Sequence, residues 1–154
     1  MRIVVWNCSM SLRKKLDAVL RLSPDIAVIG NAEFPDRLYP RDGGIRISGS
    51  LWFGTGRNCG LGVFSFGRWH IRPHSMHDPS ETAVVPLECS CGDVSFLLVA
   101  AQGVPARGGP DTASRLTALQ RHRDISHPSR AGRLSLPVSW EPFPRVHGLA
   151  KVLK

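Results

Sequence analysis

The sequence predicts an α+β fold, and three observations carry that reading. A strand, a helix and a second strand follow one another within the first thirty residues. Short apolar stretches separated by turns come next, with no further helical periodicity. Beyond Gln102 both kinds of periodicity lapse, so residues 1–102 read as the folded part and residues 103–154 as an irregular tail rich in Pro, Arg and Ser. At 154 residues the chain has room for one domain with a core.

Ile3-Val4-Val5-Trp6 is a continuous apolar run, the pattern of a strand buried on both faces, and Asn7 marks its end. Leu12, Leu16, Val19 and Leu20 then recur at helical spacing, with Arg13, Lys14, Lys15 and Arg21 on the other face. Ser11 is placed to cap that helix, and Ser23-Pro24 to end it. A second apolar run, Asp25 to Gly30, completes a right-handed crossover between parallel strands.

Glu33 to Gly49 is polar and turn-rich and reads as a surface loop. Leu51-Trp52-Phe53, Leu61 to Phe64, Thr82 to Leu87 and Val94 to Ala101 read as antiparallel strands. Ser90-Cys91-Gly92-Asp93 suits a hairpin loop, and Pro86 marks its strand as an edge or a bulged one. In the tail, Leu116 and Leu119 suit one short helix; the abrupt change of composition after Gln102 points to a reading-frame change or a premature ending.

The net charge is +8, but its location matters more than its size. Residues 1–102 hold eleven Lys/Arg against nine Asp/Glu, whereas residues 103–154 hold nine against three. Basicity therefore belongs to the tail, where Arg121, Arg123, Arg130 and Arg133 are candidates for nucleic-acid contacts through counterion release. No apolar run is long enough for a signal core or a membrane span, which predicts a cytoplasmic protein with free thiols at Cys8, Cys59, Cys89 and Cys91.

Three segments together resemble the endonuclease/exonuclease/phosphatase superfamily: Met1 to Asn7, Leu12 to Ile29, and Trp52 to Ser65. The resemblance implies a partial four-layer α/β/β/α sandwich with mixed sheets, of which this chain carries the front part. It also implies a Mg2+-dependent phosphodiesterase or nuclease, in which the metal neutralises phosphate charge and helps prepare water for in-line attack.

On this pattern Asn7 is the catalytic asparagine that closes the first strand. The family's metal-binding glutamate falls on Asn31, an amide that brings no charge to a hard cation. Glu33, two residues on, is a further metal candidate, set against the reading of a solvated loop glutamate. The family's later signatures, Asp-x-Asn and Ser-Asp-His, have no counterpart here. Gly92-Asp93-Val94-Ser95 falls in the predicted hairpin, and Asp124-Ile125-Ser126-His127 has the wrong order. The sequence thus reads as a truncated, catalytically impaired relative of these hydrolases. The alternative is a non-enzymatic fragment that binds nucleic acid, or a partner chain covering an open sheet edge.

Other clusters have bland readings. His70, His74 and His77 lack a helix face to gather them and read as solvated loop residues, and Cys89-x-Cys91 lacks a second ligand pair for zinc. Arg13-Lys14-Lys15 reads as the solvated face of a helix. Trp52, Phe53, Phe64 and Trp69 read as core aromatics.

Overall fold

The structure, a computed structural model, describes residues 1–38 and 47–102, together with the backbone of Gly132–Leu134 and Lys151–Leu153. The predicted crossover is present. Strand β1 (Ile3–Asn7) and strand β2 (Ile26–Ala32) run parallel, in a register that sets Ile3 beside Ile26 and Asn7 beside Gly30.

The connecting helix differs from its prediction. A 3-10 turn at Leu12–Lys14 is separated from the α-helix α1 (Leu16–Leu20) by Lys15, whose φ is −122°. Ser11 makes no side-chain cap; with a φ of 54°, it ends three consecutive left-handed residues, after Ser9 and Met10. Such a run keeps the backbone from entering a helix smoothly. At the far end Ser23, also left-handed, donates its N–H to Leu20 O at 2.9 Å and stops the helix before Pro24.

Strands β3 (Ile47–Phe53) and β4 (Gly60–Phe66) are antiparallel neighbours, and β4 continues onto β2. A second sheet contains β5 (His70–Pro73), β6 (Val84–Cys91) and β7 (Val94–Ala101). The tail adds a short strand to each sheet: β8 (Gly132–Leu134) lies parallel to β7, and β9 (Lys151–Leu153) antiparallel to β1. The sheet orders are β3-β4-β2-β1-β9 and β5-β6-β7-β8, so both sheets are mixed. Leu116, Leu119 and the rest of the tail lie outside the described residues, as does Asp124 to His127.

Strand periodicity divides the apolar residues between two cores. Ile26, Val28, Leu61 and Val63 of the first sheet face Val85, Leu87, Cys89, Phe96, Leu98 and Ala100 of the second. The alternate positions Ala27, Ile29, Phe64 and Phe66 meet Leu12 and Val19 of the helical layer on the outside. Each fully buried Leu, Ile or Phe contributes about 1.5–3 kcal/mol. This is an α+β sandwich of helix, sheet and sheet, and among the described residues no helix covers the second sheet's outer face. No described helix is long and apolar enough to cross a membrane.

Several local expectations change. His70 belongs to strand β5 rather than a loop, and His74 is buried, its Nδ1 accepting the N–H of Met76 at 3.2 Å. His77 packs edge-on against Phe53, with ring centroids 5.2 Å apart. Pro86 sits in β6, which has a neighbour on each side, yet β5 ends one residue short of it, at Pro73 opposite Leu87. Its carbonyl accepts His74 N–H at 2.9 Å, and its missing donor falls where the β5 ladder has stopped. The hairpin loop is Gly92-Asp93, with Gly92 left-handed at φ 57°. The four cysteines are free; Phe64 and Trp69 are buried, and Trp52 and Phe53 partly so.

Candidate functional site

Asn7 ends β1 and Asn31 lies near the end of β2, so the parallel register brings both to the same end of the sheet. A β-bulge refines the position. Between Ile29 opposite Gly62 and Ala32 opposite Gly60, β2 holds one residue more than β4, and Asn31 takes a left-handed φ of 55° there. Asparagine tolerates that conformation better than most residues. The bulge turns its side chain toward β1.

Asn31 Nδ2 donates to Asn7 Oδ1 at 2.8 Å, and the same Asn7 oxygen accepts the N–H of Ser9 at 3.1 Å. Asn31 Oδ1 accepts the Cys59 thiol at 3.1 Å. Its carbonyl accepts Met10 N–H at 3.1 Å and the Cys8 thiol at 3.2 Å, while its own N–H donates to Gln102 Oε1 at 3.2 Å. Lys15 folds back, donating Nζ to the carbonyls of Cys8 at 2.5 Å and Met10 at 3.3 Å. The left-handed segment Ser9 to Ser11 is thus held from three directions, which offsets a backbone cost of about 1–3 kcal/mol per strained residue.

Glu33 does not join this pair. It is 3% exposed rather than solvated, and it serves the entry to the helix. Oε1 accepts the backbone N–H of Arg13 at 2.9 Å, and Oε2 takes the Arg13 guanidinium in an ion pair. The cap predicted for Ser11 is supplied across the fold by a glutamate twenty residues away in sequence. Arg13, read as a solvated residue, is the partner that makes burial of that carboxylate tolerable.

A rim flanks the site on the β4 side. Trp52 Nε1 donates to Ala32 O at 3.1 Å, and Phe34 packs edge-on against Trp52 with centroids 5.3 Å apart. Arg57 lies 5.3 Å from the Phe34 ring centroid and pairs with Asp36 at 2.5 Å. Gly60 makes room for this, since a Cβ there would come within 2.5 Å of the Trp52 ring. Burial raises the Cys8 thiol above its ordinary pKa, so this sulfur is a neutral donor rather than a thiolate.

The donor set does not fit a magnesium ion. A hard divalent cation wants anionic oxygen, usually one or two carboxylates. Here two amides face each other, already bonded to one another and to a thiol, and the nearby carboxylate is committed to Arg13. Among the described residues no three His, Cys, Asp or Glu side chains gather as a metal site.

Of the residues singled out from sequence, Asn7 and Asn31 are brought together, and Glu33 is turned to another task. Arg121, Arg123 and Arg130 lie outside the described residues, and Arg133 is in β8, of which only the backbone is described. Sequence reasoning missed Cys59, Gln102 and Lys15. Cys59 and Gln102 reach the site only through pairings between segments far apart in sequence, and Lys15 by folding back onto the left-handed turn just before it.

No protein-family model matches the chain, and no curated protein does. Solved structures do. The endonuclease domain of TRAS1, a telomere-specific non-LTR retrotransposon, aligns with a TM-score of 0.55 and 15% identity, over 81% of this chain and 55% of that one. The fold is of the endonuclease/exonuclease/phosphatase type. TDP2 of D. rerio, solved in complex with a single-strand DNA product, aligns with a TM-score of 0.50 and 14% identity, over 82% of this chain and 56% of that one. This chain therefore spans a little over half the length of either neighbour. At such identities the likeness carries the fold, and the site has to be judged on its own residues.

Proposed function

We propose that this chain is a catalytically impaired relative of Mg2+-dependent phosphodiesterases, carrying the front part of their fold without their hydrolytic chemistry. The observation that supports the reading is the Asn31 Nδ2 to Asn7 Oδ1 hydrogen bond of 2.8 Å, where metal-dependent hydrolysis needs a carboxylate. An amide donor aimed at the other amide's oxygen removes the lone pair that a cation would use. Glu33 cannot substitute without abandoning both Arg13 and the N–H that it accepts.

The experiment is direct: the full chain is incubated with Mg2+ or Mn2+ and single-stranded DNA, double-stranded DNA or an artificial phosphodiester. The expected result is no hydrolysis above the metal-only control. EDTA-sensitive turnover that Asn7→Ala abolishes would overturn the reading.

A second reading is non-enzymatic binding of nucleic acid. It is favoured by the charge asymmetry, +6 of the +8 lying in residues 103–154, and by the neighbouring fold's having been solved with single-stranded DNA. Binding of this kind is indifferent to sequence and weakens steeply with salt. Equal affinity of the full chain and of Arg121, Arg123, Arg130 and Arg133 changed together to Ala would exclude it. A partner chain that lies along an exposed sheet edge is the remaining form of this reading; a sedimentation profile independent of concentration and of added lysate fractions would count against it.

A further inference from the structure

We infer that Asn31, with Gln102 and Cys59, forms a clasp that does the organising work of a bound cation, so that this end of the sandwich is ordered without any divalent metal. The inference deepens the proposed function, but it concerns what holds the site together rather than what the site catalyses.

Asn31 contacts four separate segments. Its side chain reaches Asn7 at the end of β1 and Cys59 at the entry to β4. Its carbonyl receives Met10 and Cys8 from the left-handed turn, and its N–H reaches Gln102, one residue beyond β7 in the other sheet. Gln102 is fixed in turn, since its N–H donates to Ala83 O at 2.8 Å. One residue thereby joins the crossover turn, the first sheet and the second sheet.

A metal ion in such a position would draw loops together through oxygen ligands. Here neutral hydrogen bonds make the same connections, and they use the amide hydrogen that no carboxylate can supply. The left-handed φ of 55° adds a second requirement, which Asn, Asp and Gly meet and β-branched or bulky residues do not. Asn31 therefore differs from the family glutamate in a positive sense: its amide is the component around which the local structure closes.

The test separates backbone from side chain by thermal unfolding of the full chain in EDTA and in millimolar Mg2+. Asn31→Gly keeps the left-handed conformation and removes the side chain; its melting temperature should fall by about 4–8 °C, as expected for loss of two hydrogen bonds and their burial. Asn31→Asp keeps shape and conformation but sets a carboxylate oxygen against Asn7 Oδ1; it should also melt lower than wild type in EDTA. Wild type should melt at the same temperature in both buffers, since a ligand that does not bind the folded state cannot stabilise it.

Gln102→Ala should raise amide exchange at Asn31 and Met10 without altering exchange in the β6–β7 hairpin. A wild-type melting temperature that rises with Mg2+ would overturn the inference, as would Asn31→Gly or Asn31→Asp melting with wild type in EDTA. Hydrolytic turnover by a chain that passes these stability tests would defeat the proposed function alone.

Discussion

Asn31 donates its side-chain N–H to the Asn7 carbonyl oxygen across 2.8 Å, joining the ends of two parallel strands through their amides. Asn7 Oδ1 also receives Ser9 N–H, so one oxygen serves both the strand pair and the left-handed turn. Asn7→Ala removes the acceptor from both donors. We expect a loss of about 1–3 kcal/mol, arising from the partly buried Asn31 donor left unmatched while solvent takes up the exposed Ser9 N–H, and read as a lower urea midpoint with unchanged slope. A midpoint equal to wild type would mean that water replaces the amide without cost.

The Arg13–Glu33 pair gives an asymmetric expectation. Glu33 is 3% exposed, whereas the Arg13 side chain is 43% exposed. Removing Glu33 leaves a cation that solvent can screen and one unsatisfied N–H, so Glu33→Ala should cost about 1–3 kcal/mol. Removing Arg13 strands a buried carboxylate, and Arg13→Ala should cost more, about 3 kcal/mol or above. Urea titrations of the two variants decide the order; a larger loss for Glu33→Ala would show that the cap matters more than the charge.

Cys89 predicts an alkaline weakness. Burial between the sheets pushes its thiol from 9.0 up to about 12. The unfolded chain gives up this proton near pH 9 while the folded chain retains it, so the unfolded state binds fewer protons and stability falls as pH rises from about 9 towards 12. The contribution is fully present below pH 9. Comparing wild type with Cys89→Ala isolates it from other alkaline titrations: the variant should lose stability more gently across that window, although cavity formation makes it less stable at pH 7.

Ser65 offers a stabilising change. Its side chain is fully buried in β4, and Oγ has no hydrogen-bond partner. The facing residue is Gly49, where a Cβ would lie 2.8 Å from that oxygen. Replacing the hydroxyl by hydrogen removes an unsatisfied group and leaves only a small space, so Ser65→Ala should be neutral or more stable by up to about 1 kcal/mol. A drop in melting temperature would reveal a buried water bonded to Oγ.

Apolar periodicity alone was enough to read β1, β2, β4, β7 and the first half of β6, because strands buried on one or both faces must carry their signal in the order of side chains. His70–Pro73 escaped that reading, since an exposed edge strand of four residues carries no apolar pattern, and its proline and histidine suggest a loop. The helix was overextended for a related reason. Leu12 and Leu16 are both buried as predicted, but the left-handed entry at Ser9 to Ser11 breaks the turn at Lys15, and no propensity encodes a strain that distant Asn31 and Glu33 sustain.

By itself the sequence determined that this chain folds around a strand–helix–strand crossover, that Asn7 closes its first strand, and that Asn31, an uncharged amide, follows the aliphatic run of the second. The tertiary structure decided what those residues do. Glu33 became a buried helix cap because Arg13 lies opposite it, and Asn31 became a junction because a β-bulge turns it toward Asn7, Cys59 and Gln102. Local pattern reports which side chains must leave water; which polar groups then meet depends on register and bulges between strands far apart in the chain.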